Sequence, residues 1–88
     1  MKRFWIRLIA SLPLADTVIL IQNGRVDVKR GKVRTVLLAE LAELSKAQSI
    51  EIACITADAT PNGFRLSFVG IPKGLHQRFR NVWGANWA

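Results

Sequence analysis

The stretch TVILIQNGRVDVKR, residues 17–30, contains the clearest structural signal in the chain. Two runs rich in β-forming residues flank the pair Asn23-Gly24, which fits a two-residue type I′ turn because both residues tolerate positive φ. After this turn, Val26 and Val28 alternate with charged residues, so one side of the strand faces a core and the other faces water or a partner. The stretch therefore predicts an antiparallel β-hairpin.

A helix and a third strand are predicted after the hairpin. In TVLLAELAELSKAQ, residues 35–48, the leucines share one helical face and the glutamates lie on the other. Thr35 is the expected N-cap, because its hydroxyl can accept a hydrogen bond from a free backbone N–H of the first turn. Residues 49–58, SIEIACITAD, are rich in β-branched residues and predict the third strand.

The last part of the sequence predicts one more strand and one more helix. ATPNG, residues 59–63, predicts a turn, and FRLSFV, residues 64–69, alternates apolar and polar residues as a half-buried strand does. Pro72 suits the first turn of a helix, in which the apolar residues of PKGLHQRFRNVW form one face. Gly84 is expected to end that helix.

Together these elements predict an α+β fold. Their order is ββα-ββα, which favours a four-stranded, mostly antiparallel sheet with both helices on one face. The chain divides into an N-terminal segment, residues 1–16, and a single ββαββα domain, residues 17–88. At 88 residues in all, the chain has room for one modest core. The N-terminal segment is predicted to be an apolar helix that docks on the domain or anchors it.

The composition limits the possible partners. The chain has 13 Lys and Arg against 6 Asp and Glu, a net charge of +7 and an isoelectric point near 10.9. This balance favours anionic partners, namely nucleic acid, a membrane surface or an acidic protein. The single cysteine excludes an internal disulfide and indicates a reducing compartment. We therefore expect a cytoplasmic protein, at the inner face of the membrane if it attaches to one.

The N-terminal segment begins MKRFWIRLIASLPLA and combines basic and apolar residues. As a helix over residues 2–12, it places Arg3, Arg7 and Ala10 on one narrow stripe, with apolar residues around most of the remainder. This apolar surface packs on the domain's own sheet or on a second copy, or it lies in a membrane interface. A transmembrane span is disfavoured, because the best window contains charges and a proline and barely reaches the required length. The apolar surface comprises Phe4, Trp5, Ile6, Leu8, Ile9 and Leu12.

Two parts of the sequence resemble a family of small uncharacterised bacterial proteins, known as a domain of unknown function. The resemblance rests on NGRVDVKRGK, residues 23–32, and on GFRLSF with the ending IP…QRFRNVW, residues 63–83. Proteins of this family usually have a more hydrophobic N-terminal segment that looks like a membrane anchor. This chain departs from that pattern at Arg7, Pro13 and Asp16. The resemblance implies no catalytic residues and no known ligand.

No set of residues in the sequence indicates catalysis or metal binding. Cys54 falls within an apolar strand, where a buried, inert thiol is expected, and His76 lies on the polar face of the last predicted helix. Glu40 and Glu43 share a helix face, but Lys46 follows them in a pattern typical of a solvated surface. The chain has no phosphate-binding glycine motif and no cysteine-rich spacing. We therefore expect a protein that is not an enzyme and that binds no cofactor or metal.

The candidate partner-binding residues are nearly all basic. They lie around Gly31, on the outward sides of the predicted strands and on the last helix. These residues either bind an anionic partner or remain solvated and protect a sheet edge from pairing with another chain. The aromatic residues of the fourth strand alternate with Arg65 and face the helices, so base stacking on an open sheet is not expected. The candidates are Arg25, Lys29, Arg30, Lys32, Arg34, Arg65, Lys73, His76 and Arg80.

The sequence thus favours a small, basic, non-enzymatic interaction module. Its N-terminal segment is expected to mediate self-association or peripheral attachment to an anionic membrane surface. Binding of nucleic acid or of the ribosome through the basic residues is the alternative. The expected partner is a second copy, another protein or a membrane, and no small-molecule substrate is evident.

Overall fold

The computed structural model describes residues 16–86. The N-terminal helix predicted over residues 2–12 lies outside this range. Within it, two β-hairpins are each followed by a helix. The elements are β1 (Thr17–Gln22), β2 (Arg25–Arg30), α1 (Thr35–Ala47), β3 (Ile52–Thr60), β4 (Gly63–Val69) and α2 (His76–Asn86), with a 3-10 turn at Lys73–Leu75.

The four strands form one antiparallel sheet in the order β2-β1-β3-β4. β1 and β3 therefore lie at the centre, and β2 and β4 are the two edges. The predicted α+β class and the four-stranded antiparallel sheet are confirmed. The predicted turn is confirmed as well, because Asn23 and Gly24 have φ of +50° and +81°. The Asn23 N–H also donates to the Glu51 carbonyl at 2.7 Å, which ties the hairpin to the start of β3.

Both helices cover one side of the sheet, which we call the first face. Leucines of α1 and aromatic residues of α2 pack here with alternate residues of β1 and β3. Phe64, Leu66 and Phe68 of β4 also lie on this side, as their alternation with polar residues predicts. Phe64 packs edge-on against Trp83 with ring centroids 6.0 Å apart. The buried cluster comprises Ile19, Ile21, Leu37, Leu41, Ile50, Ala53, Ile55, Ala57, Ile71, Phe79 and Trp83.

The opposite side of the sheet, the second face, has its own apolar cluster. Val18 and Leu20 of β1 lie beside Ile52 and Cys54 of β3, and Val69 of β4 packs against them. All four cluster residues are buried. The sequence prediction placed both helices on one face and left open whether the N-terminal segment covers the other face, an edge or a neighbouring molecule.

The start of α1 differs from the prediction. The N-cap is Arg34, which has extended backbone and no side-chain capping hydrogen bond. The prediction of a Thr35 N-cap is wrong, because Thr35 is already the first helical residue and its hydroxyl lies one position too late. The Arg34 carbonyl accepts the first helical hydrogen bond, from the Leu38 N–H at 3.1 Å.

The end of α1 also corrects the predicted start of β3 at residue 49. Ser49 has φ of +53°, a conformation that closes helices. Its N–H donates to the Lys46 carbonyl at 3.1 Å, and the Ile50 N–H donates to the Ser45 carbonyl at 2.9 Å. Residues 49 and 50 therefore complete the helix end, and the strand begins at Ile52.

The last helix differs from its prediction at both ends. Pro72 precedes a 3-10 turn, in which the Leu75 N–H donates to the Pro72 carbonyl at 2.9 Å, and α2 begins only at His76. Gly84 does not end the helix, which continues to Asn86. Gly84 lacks the positive φ that a terminating glycine adopts.

Candidate anion-binding surface

Five exposed cations line one edge of the sheet. β2 is an edge strand, so its outer side has no strand neighbour among residues 16–86. Asp27 is the single acidic residue between positions 25 and 34. We call this group the β2-edge cluster, and it comprises Arg25, Lys29, Arg30, Lys32 and Arg34.

The strand register explains how these charges stay exposed. Val26 and Val28 point to the first face, while Arg25 pairs with Gln22 and points to the second. The register then shifts, because Val28 pairs with Ile19 whereas Arg30 pairs with Val18. The extra residue, Lys29, forms a bulge, and such bulges bend an edge strand and discourage pairing with another chain.

The β2-edge cluster lies directly against the junction with the N-terminal segment. Gly31 has φ of +84°, and a Cβ at this position would lie 2.7 Å from the Asp16 carbonyl oxygen and 2.8 Å from Thr17 Oγ1. Asp16 itself is held on the sheet, because its N–H donates to Asp58 Oδ1 at 3.0 Å and its Oδ2 accepts from the Ala59 N–H at 3.4 Å. The N-terminal segment therefore joins the domain beside the middle of the basic loop.

The other four candidate residues lie at the opposite edge. Three strand spacings, about 14 Å, separate β4 from β2. Arg65 pairs in register with Asp58 on the second face, whereas His76 and Arg80 lie on α2 and contact the first-face residue Phe68. The structure does not bring the nine predicted residues into one surface. Five of them form the β2-edge cluster, and four stand apart.

Two of the four residues at the β4 edge have structural contacts. The His76 ring lies 4.7 Å from the Phe68 ring, and its Nε2–H donates to the Ile71 carbonyl at 2.9 Å. The Arg80 guanidinium carbon lies 5.3 Å from the centre of the Phe68 ring, within the range of a cation–π contact. These contacts favour a packing role for His76, which is half-buried, whereas Arg65, Lys73 and Arg80 are all exposed.

The thiol and the carboxylates show no catalytic arrangement among residues 16–86. Cys54 is fully buried, as predicted, and this burial raises the pKa of its thiol from 9.0 to about 11. Glu40 and Glu43 are exposed on α1, in agreement with a solvated surface. The described residues contain no group of three or more His, Cys, Asp or Glu that could hold a metal ion.

One feature of the first face was not predicted from the sequence. A shallow cavity of about 160 Å³ is lined by Phe64, Leu66, Arg80, Trp83 and Gly84. Trp83 is almost fully buried, and its Nε1–H has no hydrogen-bond partner within the described part of the chain. Helical spacing in the sequence identifies Trp83 as a core residue, but it does not show whether the indole N–H finds a hydrogen-bond acceptor.

No family model, no curated protein and no solved structure matches the chain. The family resemblance stated for residues 23–32 and 63–83 therefore stays a prediction. Neither helix in the described range is long and apolar enough to cross a bilayer.

Proposed function

We propose that the protein is a non-enzymatic module that attaches peripherally to an anionic membrane surface, at the inner face of the membrane. The observation that supports this most is the close approach of Gly31 to the Asp16 carbonyl, because the β2-edge cluster then lies beside the last residue of the N-terminal segment. Stable peripheral attachment usually needs two signals, an apolar group and a basic patch. In this chain the basic patch lies beside Asp16, the residue at which the apolar segment joins the domain.

The basic signal lies within the described part of the chain. All five cations of the β2-edge cluster are exposed, and each cation near an anionic surface contributes about 1 kcal/mol at most. Salt screens such contacts over about 10 Å or less, so the charge-led part of binding weakens steeply as the salt concentration rises. The apolar signal comes from the N-terminal segment, whose Trp5 and neighbouring leucines and isoleucines suit the headgroup zone.

Nucleic-acid or ribosome binding remains the alternative for the same cations. It has less support, because the strand aromatics Phe64 and Phe68 pack against α2 on the first face. Residues 16–86 offer no exposed aromatic residue near the cluster, so their contacts to nucleic acid would be limited to the phosphate backbone. Self-association through the N-terminal segment is the other alternative.

Flotation of the full-length protein with vesicles tests the proposal. The first variant carries Lys29→Gln, Lys32→Gln and Arg34→Gln in the β2-edge cluster. The control variant carries Arg65→Gln, Lys73→Gln and Arg78→Gln, which removes the same charge from exposed residues elsewhere. At low salt we expect the first variant to lose at least about tenfold in partitioning to vesicles rich in phosphatidylglycerol. The control should lose much less.

Two outcomes would contradict the proposal. Equal losses in the two variants would mean that net charge alone drives adsorption, with no specific surface. Displacement of the protein from vesicles by low concentrations of RNA, with tighter binding to RNA than to lipid, would favour the nucleic-acid alternative.

A further inference from the structure

The second face of the sheet is buried although both helices lie on the other side. Val18 and Cys54 have no exposed surface, and Leu20 is 4% exposed. Within the described range, the helix side chains of the core belong to the first-face cluster, and no helix residue joins the second-face cluster. A sheet face without a covering layer leaves its side chains partly in water. These side chains therefore need a cover from outside residues 16–86.

The sequence of the central strands supports the same requirement. VILI, residues 18–21 in β1, and IACI, residues 52–55 in β3, are continuous apolar runs. Strands with one face in water alternate apolar and polar residues, whereas strands covered on both faces read as continuous apolar runs. The edge strands β2 and β4 do alternate. The need for a second layer is thus confined to the centre of the sheet.

We infer that in solution the N-terminal segment of the same chain covers the second face. The segment enters β1, a central strand, and Asp16 is held on the neighbouring central strand by its two hydrogen bonds to Asp58 and Ala59. Only residues 13–16 lie between the predicted helix and β1. Four residues reach at most about 14 Å, so the helix must begin its return close to the sheet.

The dimensions of the segment suit this cover. A helix over residues 2–12 is about 16 Å long and about 10 Å wide. The second-face cluster occupies two adjacent strands, about 5 Å apart, and the shorter of them, β1 with six residues, is about 20 Å long. One short helix can therefore cover the cluster without a second copy of the chain.

The charge pattern is compatible with docking. Arg3, Arg7 and Ala10 form one narrow stripe, and the apolar residues occupy the rest of the helical surface. The segment can thus place Trp5 and Ile9 against the sheet while its arginines stay in water, since a buried unpaired charge would be costly.

Given the proposed function, docking also implies how membrane binding is regulated. The same apolar residues cannot cover the sheet and enter a headgroup layer at the same time. The module is therefore closed in solution and opens at an anionic surface, where insertion of the segment compensates for exposure of the second face.

Chemical labelling of Cys54, the single cysteine, tests the docked state without lipid. In the full-length protein we expect labelling at least about tenfold slower than in urea-unfolded protein. Ile9→Asp, which places a charge on the docking side, should remove this protection. Ala10→Asp places the same charge on the basic stripe and should preserve it. Far-UV circular dichroism checks that both variants keep their secondary structure.

A second measurement tests docking if Ile9→Asp does not fold. In the unmodified protein we expect nuclear Overhauser effects between the Trp5 indole and the methyl groups of Leu20 and Ile52. A mixture of labelled and unlabelled full-length protein separates contacts within a chain from contacts between chains. Cys54 labelling as fast as in unfolded protein, or contacts seen only between chains, would overturn the inference.

A final arm adds vesicles rich in phosphatidylglycerol to the full-length protein. Faster Cys54 labelling on vesicles that the protein binds supports opening of the module. Binding without faster labelling would overturn the regulation but leave docking intact. Absence of binding would overturn the proposed function, and the solution measurements on docking would still stand.

Discussion

Gly31 is the residue at which the hairpin, the basic loop and the N-terminal junction meet. It follows the last residue of β2, its φ is +84°, and the space that a side chain would need is filled by the Asp16 carbonyl and Thr17. From the sequence, Gly31 was predicted only to end the second strand. The hairpin register could have predicted the approach to Asp16 as well. A turn at Asn23-Gly24 pairs residue 22 with residue 25, and the same register brings residue 16 near residue 31.

We expect Gly31→Ala to lower the free energy of unfolding by about 1–3 kcal/mol, because an L residue is strained at this φ and its Cβ would meet the Asp16 carbonyl. Gly74→Ala is the control, since nothing lies within 4 Å of a Cβ there and the φ is ordinary. Its effect should stay within about 0.5 kcal/mol. Urea unfolding followed by tryptophan fluorescence measures both, and equal effects would contradict the assigned role of Gly31.

Cys54 should make stability depend on pH in the alkaline range. Burial raises the pKa of its thiol to about 11 from the ordinary value of 9.0, so the fold favours the neutral thiol. This contribution is fully present below pH 9 and is lost as the pH rises towards 11. Comparison with Cys54→Ala removes the contribution of other titrating groups. Identical alkaline slopes in the two proteins would contradict the prediction.

At the scale of elements, the presence of each helix and turn follows from local sequence more closely than the residues at which the elements begin and end. The leucine spacing of α1 and the Asn23-Gly24 turn are local signals, and both appear as predicted. Ser49 shows the limit of such signals. Its β-forming neighbours predict a strand, but its positive φ closes α1 instead. Gly84 is the converse case, since a typical helix terminator lies within α2.

Ser45 is a position in α1 at which the native side chain lowers stability. It is fully buried, and its Oγ has no hydrogen-bond partner among the described residues. We expect Ser45→Ala to raise the free energy of unfolding by about 0.5–2 kcal/mol, because the mutation removes an unpaired buried hydroxyl and improves helix propensity. Glu40→Ala, at an exposed position of the same helix, should change it by less than about 0.5 kcal/mol. Destabilisation by Ser45→Ala would show that the hydroxyl does have a partner.

At the scale of the whole molecule, strand order decides how the charges are arranged, and local sequence does not encode it. Eight of the nine candidate residues are exposed, but the sequence could not show that β2 and β4 are opposite edges of the sheet. Pairing of β1 with β3 joins residues far apart in the chain. That pairing separates Arg25 from Arg65 and brings the second-face residues Leu20 and Cys54 together.

The docked segment makes a prediction about oligomeric state. If the segment docks as proposed, the full-length protein should be a monomer in solution, because docking covers its second face. A variant without residues 1–12 should self-associate or precipitate, because the apolar second face is then exposed. Size-exclusion chromatography with light scattering measures both proteins. A full-length dimer that becomes a monomer on deletion would instead show that the segment joins two copies.

The most direct test of the central claim is flotation of the full-length protein with anionic and with neutral vesicles at low salt. We predict that the protein floats with vesicles rich in phosphatidylglycerol and stays in the aqueous fraction with phosphatidylcholine alone. The reason is that the exposed cations of the β2-edge cluster bind anionic headgroups and gain nothing from neutral ones. Failure to float with anionic vesicles, or equal flotation with both kinds, would contradict the account.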